Sequence, residues 1–369
     1  MIDALRSWLA ERAPEALGEP HLHGGSIVLG GDRHPDAKVT VLLFDNQGAP
    51  AVAAKMARGG SIGATALTAE YEALLRLHAA LASAGEGLGL PRPLAFGEVG
   101  GRLVLAETVV TGAPLTTRYY QRGHVTEPGA VDADLEMVAT WLRRFRADSN
   151  AGTVPLDAST FDEWVASVFL RFADTFGWGP ELEDLLRDVR ERARELMGCP
   201  IPVGGSHGDL AIANVLVDGD HVSGVVDWEL GAIGAPPFAD IYKFPLSYGA
   251  FLDRAAPAGS GVVSGHPGRH EIGVHWSRYG DWPNLIGFAY AFFGQGWFPD
   301  RIRSFVSGEL ADLGLPGSIN AVFFPAFLAH QAMVLPDPVY REGYRRVLEG
   351  FAAERAHSWL WQADAGVAS

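Results

Sequence analysis

The chain has 369 residues, too many for one ordinary core and suited to two lobes. Hydrophobic residues make up 48 % and charged residues 20 %, which excludes disorder as the default state and calls for a packed globular protein. A net charge of -15 excludes a surface built for nucleic-acid backbones, although it would tolerate a cationic substrate.

The opening stretch MIDALRSWLAERAPEAL mixes acids with arginines and holds no continuous apolar run, so it does not read as a signal peptide. Val39 to Phe44 is an apolar run bounded by turn residues. Asn46-Gln47-Gly48 separates it from a second predicted strand, Ala51 to Met56. A helix is predicted from Ala66 to about Ala82, because Leu67, Tyr71, Leu74, Leu75, His78 and Leu81 share one face. Pro91 and Pro93 end that region, and Arg102 to Val110 reads as another strand. Thr111-Gly112-Ala113-Pro114 interrupts regular structure and marks a boundary between residues 1–110 and residues 111–369.

Beyond the boundary the chain turns mostly helical, with amphipathic patterns over Asp132 to Arg146, Thr160 to Phe176 and Glu181 to Met197. Cys199 is the only cysteine, so there is neither an intramolecular disulfide nor a thiolate metal cluster, and a reducing, cytoplasmic location follows. Arg254 to His270 is rich in Gly, Pro, Ser and Ala and reads as a long surface loop. The apolar stretches Leu285 to Phe298 and Ala321 to Leu335 are short and interrupted by polar or helix-breaking residues. They read as buried helices, with no membrane span. The last residues, Ala363 to Ser369, read as a frayed tail.

The chemistry concentrates between Gly204 and Gly231. Asn214 to Val217 and Val222 to Val226 are strand-like runs joined by Asp218-Gly219-Asp220, a strong hairpin signal. A hairpin folds its outer ends together, so Asn214 and Asp227 come near each other. Asp209 lies five residues before Asn214 in the loop leading in. Carboxylate and amide oxygens suit hard Mg²⁺, which keeps phosphate oxygens as further ligands. A carboxylate beside the metal can orient an acceptor hydroxyl and accept its proton.

His207-Gly208-Asp209, then four residues, then Asn214 resembles the catalytic loop of aminoglycoside phosphotransferases and choline-kinase-like enzymes. Val225-Val226-Asp227-Trp228-Glu229 resembles that family's metal-binding segment, and Gly234-Ala235-Pro236 followed by Asp240 fits its downstream pattern. The resemblance implies an α+β, bilobal, protein-kinase-like fold and an ATP- and Mg²⁺-dependent phosphotransferase acting on a small-molecule hydroxyl acceptor. Within it, Asp209 is the catalytic residue, and Asn214 and Asp227 are the metal ligands. Lys55, ending the strand AVAAK, is the lysine for the α- and β-phosphates. Glu70 is its helix partner in preference to Glu72, which points away from the apolar face. Glu107, Thr108 and Val109 are placed to offer backbone groups to adenine. Gly24, Gly25 and Ser26 are expected to begin the phosphate-covering loop, which runs to about Lys38. His207 is expected to hold the loop rather than act as a base.

Three other readings compete. Gly204-Gly205-Ser206-His207-Gly208 and Gly59-Gly60-Ser61-Ile62-Gly63 both match the G-x-S-x-G of serine hydrolases. The first is followed by a loop and hairpin where a helix is required, and too few strands precede the second to build a hydrolase sheet. A kinase-like binding module without activity is disfavoured, because Lys55, Asp209, Asn214 and Asp227 are all present. A protein kinase is disfavoured because no A-P-E segment follows and the loop lacks its arginine. His266, His270 and His275 lack the carboxylate spacing of a metal site. Trp276, Tyr279, Trp282, Tyr290 and Trp297 read mostly as core.

Overall fold

Alternation of side chains along the first strands decides how the N-terminal region is built. The computed structural model describes residues 1–13, 25–29, 38–81, 87–252, 283–335 and 338–362. Helix α1 (Ile2–Arg12) precedes strands β1 (Ser26–Leu29), β2 (Lys38–Phe44) and β3 (Pro50–Ala57). Helix α2 (Ser61–Leu81) leads to β4 (Pro93–Val99) and β5 (Arg102–Thr108). These strands form one antiparallel sheet in the order β1-β2-β3-β5-β4. Val52, Ala54 and Met56 of β3 pack with Val104 and Ala106 of β5 against Leu5 and Leu9 of α1. With a period of two, Ala53, Lys55 and Ala57 face the other way. On that side Ala57 and Leu105 cluster with Leu67 of α2.

Helix α2 starts five residues before its predicted beginning, directly after β3. The prolines at 91 and 93 concealed β4: Pro93 is its first residue, at the edge of the sheet, where a missing N–H is tolerated. Gly89 lets the segment before β4 lie directly against residues 223–225 of the second region. Its φ is +67°, and a Cβ there would lie 1.8 Å from the Ser223 carbonyl oxygen. Its own carbonyl accepts a hydrogen bond from Val225 N at 3.2 Å.

The second region is mostly helical. Its elements are β6 (Ala113–Pro114), α3 (Leu115–Tyr119), α4 (Pro128–Asp148), β7 (Gly152–Pro155), α5 (Ala158–Phe161), α6 (Ser167–Phe176) and α7 (Pro180–Glu195). A π-helical turn over Asp162–Ala166 joins α5 to α6. Strands β8 (Pro200–Ser206), β9 (Val215–Asp218), β10 (His221–Val225) and β11 (Ala232–Ala235) follow, then α8 (Phe238–Ala250). Four helices complete the described chain: α9 (Pro283–Phe293), α10 (Trp297–Asp312), α11 (Asn320–Val334) and α12 (Pro338–Glu354). Both stretches expected to be buried helices are helical, as α9 and α11. Among the described residues no single helix is long and apolar enough to cross a membrane.

β9 and β10 form the expected hairpin, extended by β6, and β7, β8 and β11 form a second small sheet. One large apolar core binds the helices to the hairpin through Val215, Val225, Trp228, Phe244 and Phe324. The whole is α+β, a β-rich first region followed by a helical one, as expected of a protein-kinase-like chain. The expected surface loop from Arg254 to His270, with His266, His270 and His275, lies outside the described residues. So do Trp276, Tyr279, Trp282 and the tail from Ala363.

Candidate active site

The loop between β8 and β9 is held from below by Asp240, in the first turn of α8. Its carboxylate accepts hydrogen bonds from Ser206 Oγ at 3.1 Å, His207 N at 2.8 Å and Gly208 N at 2.8 Å. Burial pushes the Asp240 carboxyl up, and the three donors, with His207 nearby, pull against that. His207 is fully buried and works as a strut. Its Nδ1 accepts from Asp209 N at 3.2 Å, so Nε2 carries the proton and donates to the Val226 carbonyl at 3.0 Å. Gly208, with φ +77°, is required because a Cβ would come within 2.6 Å of the Leu230 carbonyl.

The hairpin then gathers the expected residues. Asn214 Nδ2 donates to the Asp209 carbonyl at 3.0 Å and lies 3.5 Å from Asp209 Oδ2, which turns Asn214 Oδ1 away from the loop. The Asn214 carbonyl accepts from Val226 N at 3.0 Å, the residue before Asp227. Asp227 has φ 72°, the one positive value at a non-glycine among the described residues. Such backbone strain persists where the surroundings impose it.

Asp227 belongs to a cluster of opposite charges under the first sheet. Lys55 Nζ bonds Glu70 Oε1, lies 3.0 Å from Glu107 Oε1 and 3.7 Å from Asp227 Oδ1. Glu70 is fully buried and its Oε1 also accepts from Trp228 N at 3.1 Å, tying α2 to the segment after the hairpin. Glu72 stands exposed instead, 3.6 Å from Arg76. Lys38 Nζ sits 2.6 Å from Asp227 Oδ1, 2.5 Å from Glu229 Oε2 and 3.4 Å from Glu70 Oε2.

The cluster's four carboxylates outnumber its two ammonium groups, and the ionisations follow. Burial opposes the charge of Lys55 and of Lys38, but their carboxylate neighbours hold both above the ordinary lysine value. Burial likewise opposes the Asp227 carboxylate, yet Lys38 and Lys55 keep it well below the usual range. Glu107 shares Lys55 with Glu70 and Asp227. Burial, opposed only in part by Lys55, leaves it pushed up to about 7, and its Oε2 is buried without a partner.

Asp209 faces a different cation. Its Oδ1 lies 2.7 Å from Nζ of Lys243, one helical turn along α8 from Asp240. Lys243 also donates to Gln331 Oε1 at 2.8 Å and stands 5.6 Å from the Tyr344 ring centre. Burial works against its charge, but Asp209 and Tyr344 together more than offset it, so it stays protonated above the usual value. Lys243 was not anticipated, although a lone cation in the apolar run FADIYKFPL signals a buried partner.

Two expectations need correction. Gly25 and Ser26 do not open the phosphate-covering loop. Ser26 pairs with Leu43, whereas Lys38 pairs with Ala57 at the opposite end of β2, roughly 16 Å away at strand spacing. The residues joining β1 to β2, 30–37, lie outside the described residues, as does Gly24. Glu107 does not present backbone to a ligand either, because it is flanked by Ala53 of β3 on one side and Pro93 of β4 on the other. Its side chain is what reaches the cluster. Val109 lies just past the end of β5, half-buried. Ser206 is 3 % exposed with its hydroxyl given to Asp240, which removes it as a nucleophile. Ser61 opens α2.

The donor set fits a hard divalent ion only in part by itself. Among the described residues no three His, Cys, Asp or Glu side chains are set to hold a metal. Asp227 and the free Oδ1 of Asn214 supply two hard oxygens, a number matched to an ion that keeps phosphate and water ligands.

The sequence model described as phosphotransferase enzyme family matches residues 46–270. No curated protein matches the chain. Among solved structures it is similar to a GDP complex of aminoglycoside 2'-phosphotransferase-IIIa, with 13 % identity and TM-score 0.46, covering 95 % of this chain and 98 % of that one. A macrolide 2'-phosphotransferase from Brachybacterium faecium gives 16 % identity and TM-score 0.42, over 94 % and 98 % of the two chains. An ADP-bound aminoglycoside phosphotransferase, APH(2'')-Ib, gives 12 % and 0.43, over 89 % and 93 %.

Proposed function

Because the chain belongs to the phosphotransferase enzyme family and is a small-molecule kinase, we propose that it moves the γ-phosphate of ATP to a hydroxyl of a small acceptor. The observation that carries this reading is the meeting of Asp209 and Asn214 at the open end of the hairpin, one residue from Asp227, beside the Lys55–Glu70 pair. Residues 1–110 would serve the nucleotide and residues 111–369 the acceptor.

Lys55, fixed by Glu70, would meet the α- and β-phosphates. Asn214 Oδ1 and Asp227 would hold Mg²⁺, which when bound neutralises charge on the phosphate oxygens. Asp209 would align the acceptor hydroxyl and take its proton. Lys243 occupies Asp209 Oδ1, so Oδ2 is the oxygen left for the hydroxyl. Positioning and charge neutralisation are most of what phosphoryl transfer requires.

The test is ADP release with Mg²⁺ and a panel of amino sugars, sugars, amino alcohols and other hydroxyl compounds. Asp209→Ala should abolish acceptor-dependent release, and Ser206→Ala should leave most of it. The reverse pattern would support the serine-hydrolase alternative and sink this one.

A further inference from the structure

Helix α8 presents three buried polar side chains to the catalytic loop: Asp240, Lys243 and Ser247. Their spacing, three residues and then four, places them on one face of the helix. Each holds a different part of the loop. Asp240 takes the Ser206 hydroxyl and the N–H groups of His207 and Gly208, and Ser247 Oγ accepts from Ile212 N at 3.0 Å. The backbone is thus fixed on both sides of Asp209 without Lys243. Lys243 reaches the side chain instead, with Nζ 2.7 Å from Asp209 Oδ1.

That carboxylate needs a hold of its own. The terminal torsion of an aspartate is broad and twofold, so a fixed backbone still lets its two oxygens exchange places. Oδ1 is sealed from solvent against the ammonium, while 25 % of the side chain stays exposed, so the open part lies on the Oδ2 side. The ammonium is itself anchored from two further helices. It donates to Gln331 Oε1 of α11 at 2.8 Å and stands 5.6 Å from the ring centre of Tyr344 on α12. Lys243, Tyr340 and Tyr344 line the same cavity as Asp209, which builds this clamp into a wall that an acceptor meets. A misplacement of about 1 Å between reacting groups costs on the order of a hundredfold in rate, and that is the scale on which the clamp acts.

We infer that Lys243, anchored by Gln331 and Tyr344, is a positioning residue for the transfer, setting the Asp209 carboxylate in the one orientation that serves the acceptor hydroxyl. This rests on the phosphotransferase reading of Asp209. The test measures ADP release from Mg²⁺-ATP by the full chain with the fastest compound of the panel above, or with water as acceptor if none exceeds it. Calorimetry of AMP-PNP runs beside it. Lys243→Met should lower kcat about a hundredfold with little change in KM, because a misturned carboxylate is felt in the transition state. AMP-PNP affinity should stay within about twofold, since Lys55 and Asp227 are untouched. Lys243→Arg, which keeps a charge beside Oδ1, should recover turnover to within about tenfold of wild type. Lys243→Gln, which keeps a polar group against Gln331, should show the same loss as methionine and replaces it if that variant unfolds. Turnover of the uncharged variants within about threefold of wild type, an arginine variant no better than they are, or a loss of AMP-PNP affinity matching the loss of turnover overturns the inference while the kinase reading stands. Absence of any ADP release by the wild type overturns that reading, and the inference with it.

Discussion

Replacing Glu107 by glutamine removes a charge from the buried cluster and keeps its shape. Glu107 is 1 % exposed, with one oxygen 3.0 Å from Lys55 and the other unpartnered. Burial raises its carboxyl from 4.5 to about 7, with Lys55 opposing and Glu70 adding to the rise. A folded carboxyl above its unfolded value favours folding only while protonated. Its contribution is therefore complete below 4.5 and lost as pH rises through 7. At about 1.4 kcal/mol per pH unit the loss across that window is at most about 3.5 kcal/mol, less where cluster partners adjust. Glutamine has no such titration. Denaturant unfolding of both proteins, followed by tryptophan fluorescence at pH 5 and pH 8, should show Glu107→Gln gaining relative stability at the higher pH. Each profile contains other titrating groups, but the difference between them isolates this one. Parallel profiles would refute the argument.

Lys38 sits where a divalent ion would compete for Asp227. Lys38→Met should lower the Mg²⁺ concentration that half-saturates ATP binding by roughly threefold or more, and destabilise the ligand-free protein by about 1–3 kcal/mol as partners lose their cation. A higher Mg²⁺ requirement, read by calorimetry, would count against this. Asp240→Ala leaves the N–H groups of His207 and Gly208 without their acceptor and should cost about 3–5 kcal/mol in unfolding experiments, with turnover lost. Asp240→Asn, which keeps an acceptor oxygen, should lose distinctly less; equal losses would mean the loop does not depend on these bonds.

The hairpin from Asn214 to Val226 was legible because apolar runs and an Asp-Gly-Asp turn are local signals, and its geometry alone brings position 214 toward 227. Glu70 could be separated from Glu72 by helical phase, since Leu67 and Leu74 define the buried stripe. Lys38 was not legible as a site residue, because its partner Asp227 is 189 positions away and only the sheet's placement over the hairpin joins them. Glu107 reaches Lys55 because β5 inserts between β3 and β4, and a crossover leaves no local pattern. The error over Gly25 and Ser26 came from reading glycine as a loop signal without knowing where β1 begins. Lys243 depends on α8 crossing under the catalytic loop, which the sequence marks only by a cation among aromatics.

The account stands most directly on ATP binding through Asp227. Calorimetry of ATP with the wild-type chain and with Asp227→Asn, each in Mg²⁺ and in EDTA, measures it. Wild type should bind roughly tenfold tighter or more in Mg²⁺ than in EDTA, and the variant should lose that difference, since asparagine supplies no charge to the ion. Equal wild-type affinity in the two buffers, or a variant that keeps the full Mg²⁺ effect, would contradict it.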